Sequence, residues 1–168
     1  MNMVRLKTVA IGLTGVFAAA ASVHGQTTRP MPTFETKTVT PVVHRGATAH
    51  LRLKVVLPAG LHVQSDKPRD PAFVATSLTL SKPGYVSIVR TTYPKATDLA
   101  QAGLDEPLSV FSGTFDIDVE VAISPSVHPG PLEIPGQLRY QSCTAQVCFP
   151  PSRASISWRV NVSPAAAP

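Results

Sequence analysis

Apolar and polar residues alternate along three stretches of this chain, and this period of two limits the fold more than any other feature. The stretches run from Ala49 to Leu57, from Phe115 to Ile123 and from Ile156 to Val162. Such alternation is typical of strands that bury one face against a core. Weaker strand patterns lie at residues 34–43, 73–80, 85–93 and 131–142.

Turn-forming residues separate these runs, since 17 Pro and 10 Gly are spread along the chain. Seven or so short strands with turns between them predict an all-β fold, an antiparallel sandwich of two packed sheets. The stretch from Pro94 to Pro107 has no strand pattern. Irregular loops of this length are uncommon in compact domains and are often functional.

The N-terminus has the pattern of a secretory signal. Arg5 and Lys7 precede an apolar run from Val9 to Ala21, which has the length of an h-region. Cleavage after Gly25 predicts a signal peptide at residues 1–25, a flexible leader at 26–32, one domain at 33–163 and a disordered tail at 164–168. A membrane anchor is the alternative, but the run is short for a span of about 20 residues. We therefore expect a soluble protein, periplasmic or otherwise exported, that does not span a membrane after cleavage.

The charge pattern disfavours one class of partner. The formal net charge is +5, and the basic residues are scattered along the chain. Proteins that bind nucleic acid need a clustered basic face, so we expect no nucleic-acid partner. The histidines and cysteines show no four-ligand spacing for zinc, and we expect no metal site of that kind.

Two cysteines, Cys143 and Cys148, are separated by four residues. In an exported protein such a pair is expected to form a disulfide, and four-residue connections are common in hairpins. Leu138 and Tyr140 are predicted to be buried. Continuing their alternation along the strand places Cys143 on its polar face or at a loop rim. Closing so small a loop stabilises a fold by only about 2 kcal/mol, and short exposed bridges are the more reducible ones. From these residues alone, a redox role and a structural staple are equally favoured.

Several segments around the cysteines resemble one known family. They are Tyr140-Gln141-Ser142-Cys143, Cys148-Phe149-Pro150-Pro151, Gly60 to Pro68, Tyr93-Pro94 and Glu106 to Gly113. Together they resemble the signature of the N-terminal periplasmic domain family of the thiol:disulfide interchange protein DsbD, over about Thr48 to Val162. The resemblance implies an immunoglobulin-like antiparallel β-sandwich, which agrees with the predicted strands.

The same resemblance implies a function in electron relay. Domains of this family receive electrons from a thioredoxin-like domain and pass them to periplasmic isomerases and to thioredoxins of cytochrome c maturation. By the resemblance, Cys148 forms the mixed disulfide with a partner and Cys143 resolves it. This exchange is a thiol–disulfide interchange, or protein-disulfide reductase, activity and needs no cofactor. Two alternatives stay open: a non-enzymatic immunoglobulin-like binding module with a structural hairpin disulfide, and a copper-handling accessory protein that uses both cysteines and His62.

Two departures from the family pattern affect the expected partners and the shielding of the disulfide. The family's full-length protein continues into a membrane domain and a thioredoxin-like domain, so here we expect separate thioredoxin-like partners and a separate membrane electron donor. The family also shields its disulfide with an aromatic residue of a cap loop. The matching stretch at residues 102–106 has Leu104 and no aromatic residue. Leu104, Phe149 and Phe111 are therefore the candidates for this shielding.

Two further side chains are candidates for a supporting role. His62 lies in a segment that resembles the family and could carry protons for the cysteines, because the ordinary pKa of histidine is near neutral. Tyr140 could pack beneath the disulfide, although its alternation with Leu138 indicates a core residue.

Overall fold

Strands make up all the regular secondary structure of the computed structural model, which describes residues 30–81, 84–101 and 103–164. In chain order they are β1 (Thr33–Thr38), β2 (Val42–His44), β3 (Thr48–Val56), β4 (His62–Gln64), β5 (Ser77–Leu80), β6 (Val86–Thr92), β7 (Thr97–Leu99), β8 (Leu108–Ser112), β9 (Thr114–Ile123), β10 (Gly130–Tyr140), β11 (Ser142–Cys143) and β12 (Ser152–Ser163). The long strands bury every second residue, as expected when one face of a strand packs on a core.

Two four-stranded sheets form the sandwich. Their strand orders are β1-β3-β9-β6 and β2-β12-β10-β5. Neighbouring strands are antiparallel, except that β2 runs parallel to β12. The inward side chains share one buried cluster, to which Leu53 and Ile117 contribute from the first sheet and Ile134 and Trp158 from the second. The predicted all-β, immunoglobulin-like sandwich is therefore confirmed.

Trp158 of β12 ties the two sheets together. Its side chain is buried, and its indole Nε1 donates a hydrogen bond of 2.9 Å to the backbone oxygen of Arg52 on β3. The ring lies close to Gly136 of β10, where a Cβ atom would come within 3.2 Å of the ring and 2.9 Å of the Thr79 backbone oxygen. Glycine is needed at this position because the sheet and the indole leave no space for a side chain.

A third, smaller sheet of order β11-β4-β8-β7 carries the cysteines. It is built from continuations of strands in both large sheets. β8 runs into β9 through Gly113, whose φ of +66° suits glycine. β10 runs into β11 through Gln141. The third sheet therefore lies where the chain leaves both layers of the sandwich, and Cys143 is held by strands that the core anchors.

The strong alternating runs coincide with β3, β9 and β12. Three short strands were not expected from the sequence: β4, β7 and β8. β4 is buried at all three positions and so shows no alternation, whereas β7 interrupts the stretch that was expected to be irregular. All three belong to the third sheet. They were missed because pairing with distant segments decides whether a short segment becomes a strand.

The predicted signal peptide, residues 1–25, lies outside the described residues, as do residues 26–29 of the predicted leader and 165–168 of the predicted tail. In the part of the chain that the structure describes, no helix has the length and apolar character needed to cross a bilayer.

Candidate functional site

A tight hairpin brings the two cysteines together. Cys143 and Cys148 face each other as an antiparallel pair. The hairpin is held by backbone hydrogen bonds from Thr144 N to Val147 O (2.8 Å) and from Phe149 N to Ser142 O (2.9 Å). The Thr144 hydroxyl also accepts bonds from the backbone nitrogens of Gln146 (3.3 Å) and Val147 (3.2 Å). A threonine hydroxyl that accepts hydrogen bonds from the backbone N–H groups of a turn stabilises that turn.

The cysteines form a disulfide with an S–S distance of 2.05 Å and a Cα–Cα distance of 4.0 Å. Their environments differ. Cys143 is 0% exposed, whereas Cys148 is half-buried and follows the exposed turn residues Ala145 to Val147. A reagent or partner protein therefore reaches the sulfur of Cys148 more easily than that of Cys143.

The burial of Cys143 contradicts the expectation that it lies on the polar face. The alternation of burial holds through Tyr140 and Ser142, which are both buried, and it breaks at Cys143, which is buried directly after Ser142. The Gln141 side chain bonds locally: Oε1 accepts from Val74 N at 2.8 Å and Nε2 donates to Phe149 O at 3.3 Å. Beyond this point the chain enters β11, which pairs with β4 in the third sheet. The face on which Cys143 lies is thus set by a new strand partner and not by β10.

β4 supplies the side chains next to Cys143. His62 lies directly opposite Cys143 in the antiparallel pair β4–β11, so their side chains point to the same side of the sheet. Gln64, two residues along β4, donates from Nε2 to Cys143 Sγ at 3.8 Å. The sequence placed His62 among the candidates but missed Gln64, because a lone glutamine in a short segment carries no pattern. The sign that identifies it is its complete burial beside sulfur, which only the tertiary structure shows.

His62 is a buried histidine with one ring nitrogen unpaired among the described residues. Its side chain is 4% exposed, and its Nε2 has no hydrogen-bond partner among the described residues. Burial lowers the pKa of His62 below the ordinary value of 6.5, because charging an imidazole out of water is unfavourable. The side chain lines a cleft of about 410 Å³ together with Leu99, Gln101, Ser112 and Ala145, none of which is ionisable. His62 is therefore a neutral base near the disulfide at neutral pH.

Replacing His62 with Gln should make folding stability less sensitive to acid. The unfolded chain takes up a proton at His62 near pH 6.5, whereas the folded chain does so only at lower pH. The stability of the native protein therefore falls as the pH drops below about 6.5, by at most about 1.4 kcal/mol per pH unit from this group. Urea unfolding of the oxidised protein between about pH 5 and pH 7.5 measures this slope.

The matched control for this measurement is His128→Gln, since His128 is exposed. It should keep the acid sensitivity of the native chain. Equal slopes for the native chain and the His62→Gln variant would show that the folded protein protonates His62 as readily as the unfolded chain does.

The aromatic candidates take different positions. Tyr140 is a core residue, as predicted, and its ring centre lies 5.6 Å from that of Phe34. Phe149, directly after Cys148, is partly buried and packs against the same core. Phe111 is buried between Tyr93 and Phe115, with ring-centre distances of 6.3 and 5.1 Å. Of the three, Phe149 is the one whose backbone joins the cysteine hairpin.

Leu104 is exposed and lines a cleft of about 370 Å³ with Arg69, Asp70 and others. Arg69 holds the surrounding loop, because its guanidinium donates to Pro107 O at 2.7 Å and to an Asp98 carboxylate oxygen at 2.6 Å. The loop that was matched to the family's cap is therefore tied down close to Leu104. Shielding of the disulfide by Leu104 stays a prediction.

A copper site at the two cysteines and His62 was one of the alternatives left open by the sequence. Among the described residues, no group of three or more His, Cys, Asp or Glu side chains is arranged to hold a metal ion.

Comparison with known proteins yields one family and a structural likeness. The family model described as thiol:disulfide interchange protein DsbD, N-terminal, matches residues 27–158. Among solved structures, the N-terminal periplasmic domain of ScsB from Proteus mirabilis aligns with a TM-score of 0.53 at 14% identity, and covers 77% of this chain and 46% of that one. At this identity the likeness concerns the fold alone. The chain spans less than half the length of that structure.

A second structural match is a family 123 glycoside hydrolase from Clostridium perfringens, with a TM-score of 0.37 at 11% identity, covering 76% of this chain and 23% of that one. That likeness is too weak to bear on function. A search of curated proteins finds no match.

Proposed function

The chain belongs to the family of N-terminal domains of the thiol:disulfide interchange protein DsbD, and from this premise we propose that its Cys143–Cys148 pair passes electrons between thioredoxin-like partner proteins. Thiol:disulfide interchange is the activity that the family name carries. We infer the class of partner from the family, and the attacked sulfur from the geometry of the hairpin.

The difference in exposure between the two sulfurs carries the proposal. A donor thiolate attacks Cys148 Sγ, because Cys148 is partly exposed as a residue while Cys143 is fully buried. The Cys143–Cys148 bond breaks, its electron pair goes to Cys143, and a mixed disulfide joins the donor to Cys148. The second thiol of the donor then attacks the mixed disulfide and releases reduced Cys148. Reduction of a target protein runs through the same steps in reverse.

The hairpin also offers a surface for such partners. Ala145, Gln146 and Val147 project at the turn, and Val147 is 49% exposed. The tip of the hairpin is uncharged and lies next to Cys148. It therefore suits the apolar surroundings typical of a thioredoxin-like active site. We expect Phe149 to fix the Cys148 side of the hairpin and Tyr140 to support it from the core. His62 takes up or returns protons, and Leu104 limits access.

We further propose a periplasmic location for the domain at residues 33–163, with residues 1–25 as a cleaved signal peptide. The ScsB domain with the same fold is described as periplasmic. The electron donor is then a separate membrane protein or its thioredoxin-like partner, and the targets include thioredoxins of cytochrome c assembly. Thiolate exchange requires no cofactor, since both redox groups are cysteines.

Reduction by a thioredoxin-like protein tests this function. Reduced thioredoxin at micromolar concentration should open the Cys143–Cys148 bridge, which is measured as two thiols gained per chain by alkylation and mass spectrometry. A purely structural bridge has a potential below about −300 mV and resists such a reductant. A bridge that dithiothreitol opens but that thioredoxin-like proteins leave intact would favour the structural staple.

A further inference from the structure

Gln64 is held rigidly in the middle of β4. Its backbone nitrogen donates to Gln141 O at 3.1 Å, and its backbone oxygen accepts from the Thr76 hydroxyl at 2.5 Å. On its other side it pairs with Val110 of β8. The residue is 0% exposed. With its backbone bonded to several segments, its side chain has little freedom to leave Cys143.

The carboxamide of Gln64 is poorly used in the oxidised protein. Its Nε2 is 3.8 Å from Cys143 Sγ, and its Oε1 is buried without a hydrogen-bond partner among the described residues. A buried polar atom without a partner is destabilising, and an apolar side chain of the same shape avoids this effect. Stability alone therefore favours a residue such as methionine at this position, and the amide calls for another explanation.

The opened disulfide provides an explanation for the amide at this position. A disulfide sulfur accepts hydrogen bonds weakly, whereas a thiolate is an ionised acceptor, and hydrogen bonds to ionised groups are roughly twice as strong as neutral ones. We propose, on the basis of the redox function above, that Gln64 Nε2 holds the negative charge that forms on Cys143 Sγ when the disulfide opens.

A reductant thiolate forms a bond to Cys148 Sγ, the Cys143–Cys148 bond breaks, and its electron pair becomes the thiolate on Cys143 next to Gln64. When the second thiol of the reductant displaces Cys148, the two protons of the reductant end on Cys143 and Cys148. Because a better-stabilised thiolate leaves faster, Gln64 assigns Cys143 as the leaving sulfur and Cys148 as the sulfur under attack.

Few other groups near Cys143 can carry or balance this charge. His62 faces it from β4, and burial lowers the pKa of that imidazole and favours its neutral form. Ser112 and Val110 of β8, which pair with His62 and Gln64, are uncharged. On the hairpin, the facing residue is Cys148. The amide of Gln64 is thus the donor that contacts the sulfur.

Substitution of Gln64 by Met tests the assignment, since Met has a similar length and no donor. In a Cys148→Ser background, which leaves Cys143 as a free thiol, Gln64→Met should raise the pKa of Cys143 by about one pH unit. The pKa is read from the ultraviolet absorbance of the thiolate against pH. Gln64→Glu should raise it further, because a carboxylate repels the thiolate. Gln137→Met, six residues before Cys143 on β10, should leave it unchanged.

Two further measurements in the chain with both cysteines separate this role from a structural one. Gln64→Met should slow reduction of the bridge by dithiothreitol several-fold, while urea unfolding should show unchanged or increased stability. A normal pKa and normal reduction rate in Gln64→Met, with or without lost stability, would overturn the proposal. Dithiothreitol is a small molecule, so this result does not depend on any partner protein. Failure of thioredoxin-like proteins to react would count against the proposed function and leave the role of Gln64 standing.

Discussion

A Cys143→Ser variant should accumulate a mixed disulfide with a thioredoxin-like protein, and a Cys148→Ser variant should accumulate none. In the first variant Cys148 keeps its half-buried sulfur and forms the intermolecular bond, but the buried thiol that would resolve it is gone. In the second variant the remaining sulfur, that of Cys143, is fully enclosed. Exchange through the pair should be abolished in both, because a complete cycle from dithiol to disulfide needs both sulfurs.

Mixing each reduced variant with the oxidised partner and separating the products by non-reducing electrophoresis checks this expectation. Mass spectrometry of the trapped species identifies the bridging residue. The double variant is the control and should give only unlinked chains. Efficient trapping through Cys143 would reverse the assigned roles, and equal trapping by both variants would mean that burial does not select the attacked sulfur.

Replacing Trp158 with Ala should destabilise the fold by about 3–5 kcal/mol, the range for removing a large aromatic side chain from a core. The indole is 2% exposed, packs against Gly136 and bonds to the Arg52 backbone oxygen across the sandwich. Its removal leaves a cavity between the two large sheets and a carbonyl without its donor. Urea unfolding followed by circular dichroism measures the loss.

Two companion variants keep this prediction testable if Trp158→Ala fails to fold. Trp158→Phe keeps most of the ring but loses the donor, and should cost about 1–2 kcal/mol. Val89→Ala removes an apolar side chain that is 58% exposed on β6, and should change stability by less than about 0.5 kcal/mol. If Trp158→Phe and Val89→Ala have equal effects, the indole hydrogen bond does not contribute to holding the sheets together.

Only part of the site follows from residues that are close together in the sequence. The disulfide and its hairpin follow from two cysteines with four residues between them, because a connection of that length lets them face each other. The burial of Tyr140 follows from its alternation with Leu138. The same alternation placed Cys143 on the wrong face, since β10 ends at Tyr140 and both Ser142 and Cys143 pair with β4. Gln64 lies in a segment that resembles the family, but nothing in the sequence singled it out, because its contact is with a sulfur distant in sequence.

Sequence patterns were enough to predict the all-β sandwich, the three strongly alternating strands β3, β9 and β12, the pairing of Cys143 with Cys148 and the family. These depend on period-two patterning, short-range geometry and local motifs, which act between residues close in the chain. The three-dimensional arrangement was needed to find that Cys143 is buried while Cys148 is partly exposed. It was also needed to find that His62 and Gln64 lie beside the buried sulfur. These features depend on β4, β8 and β11, which are too short to be stable alone and form only by pairing with strands far away in sequence.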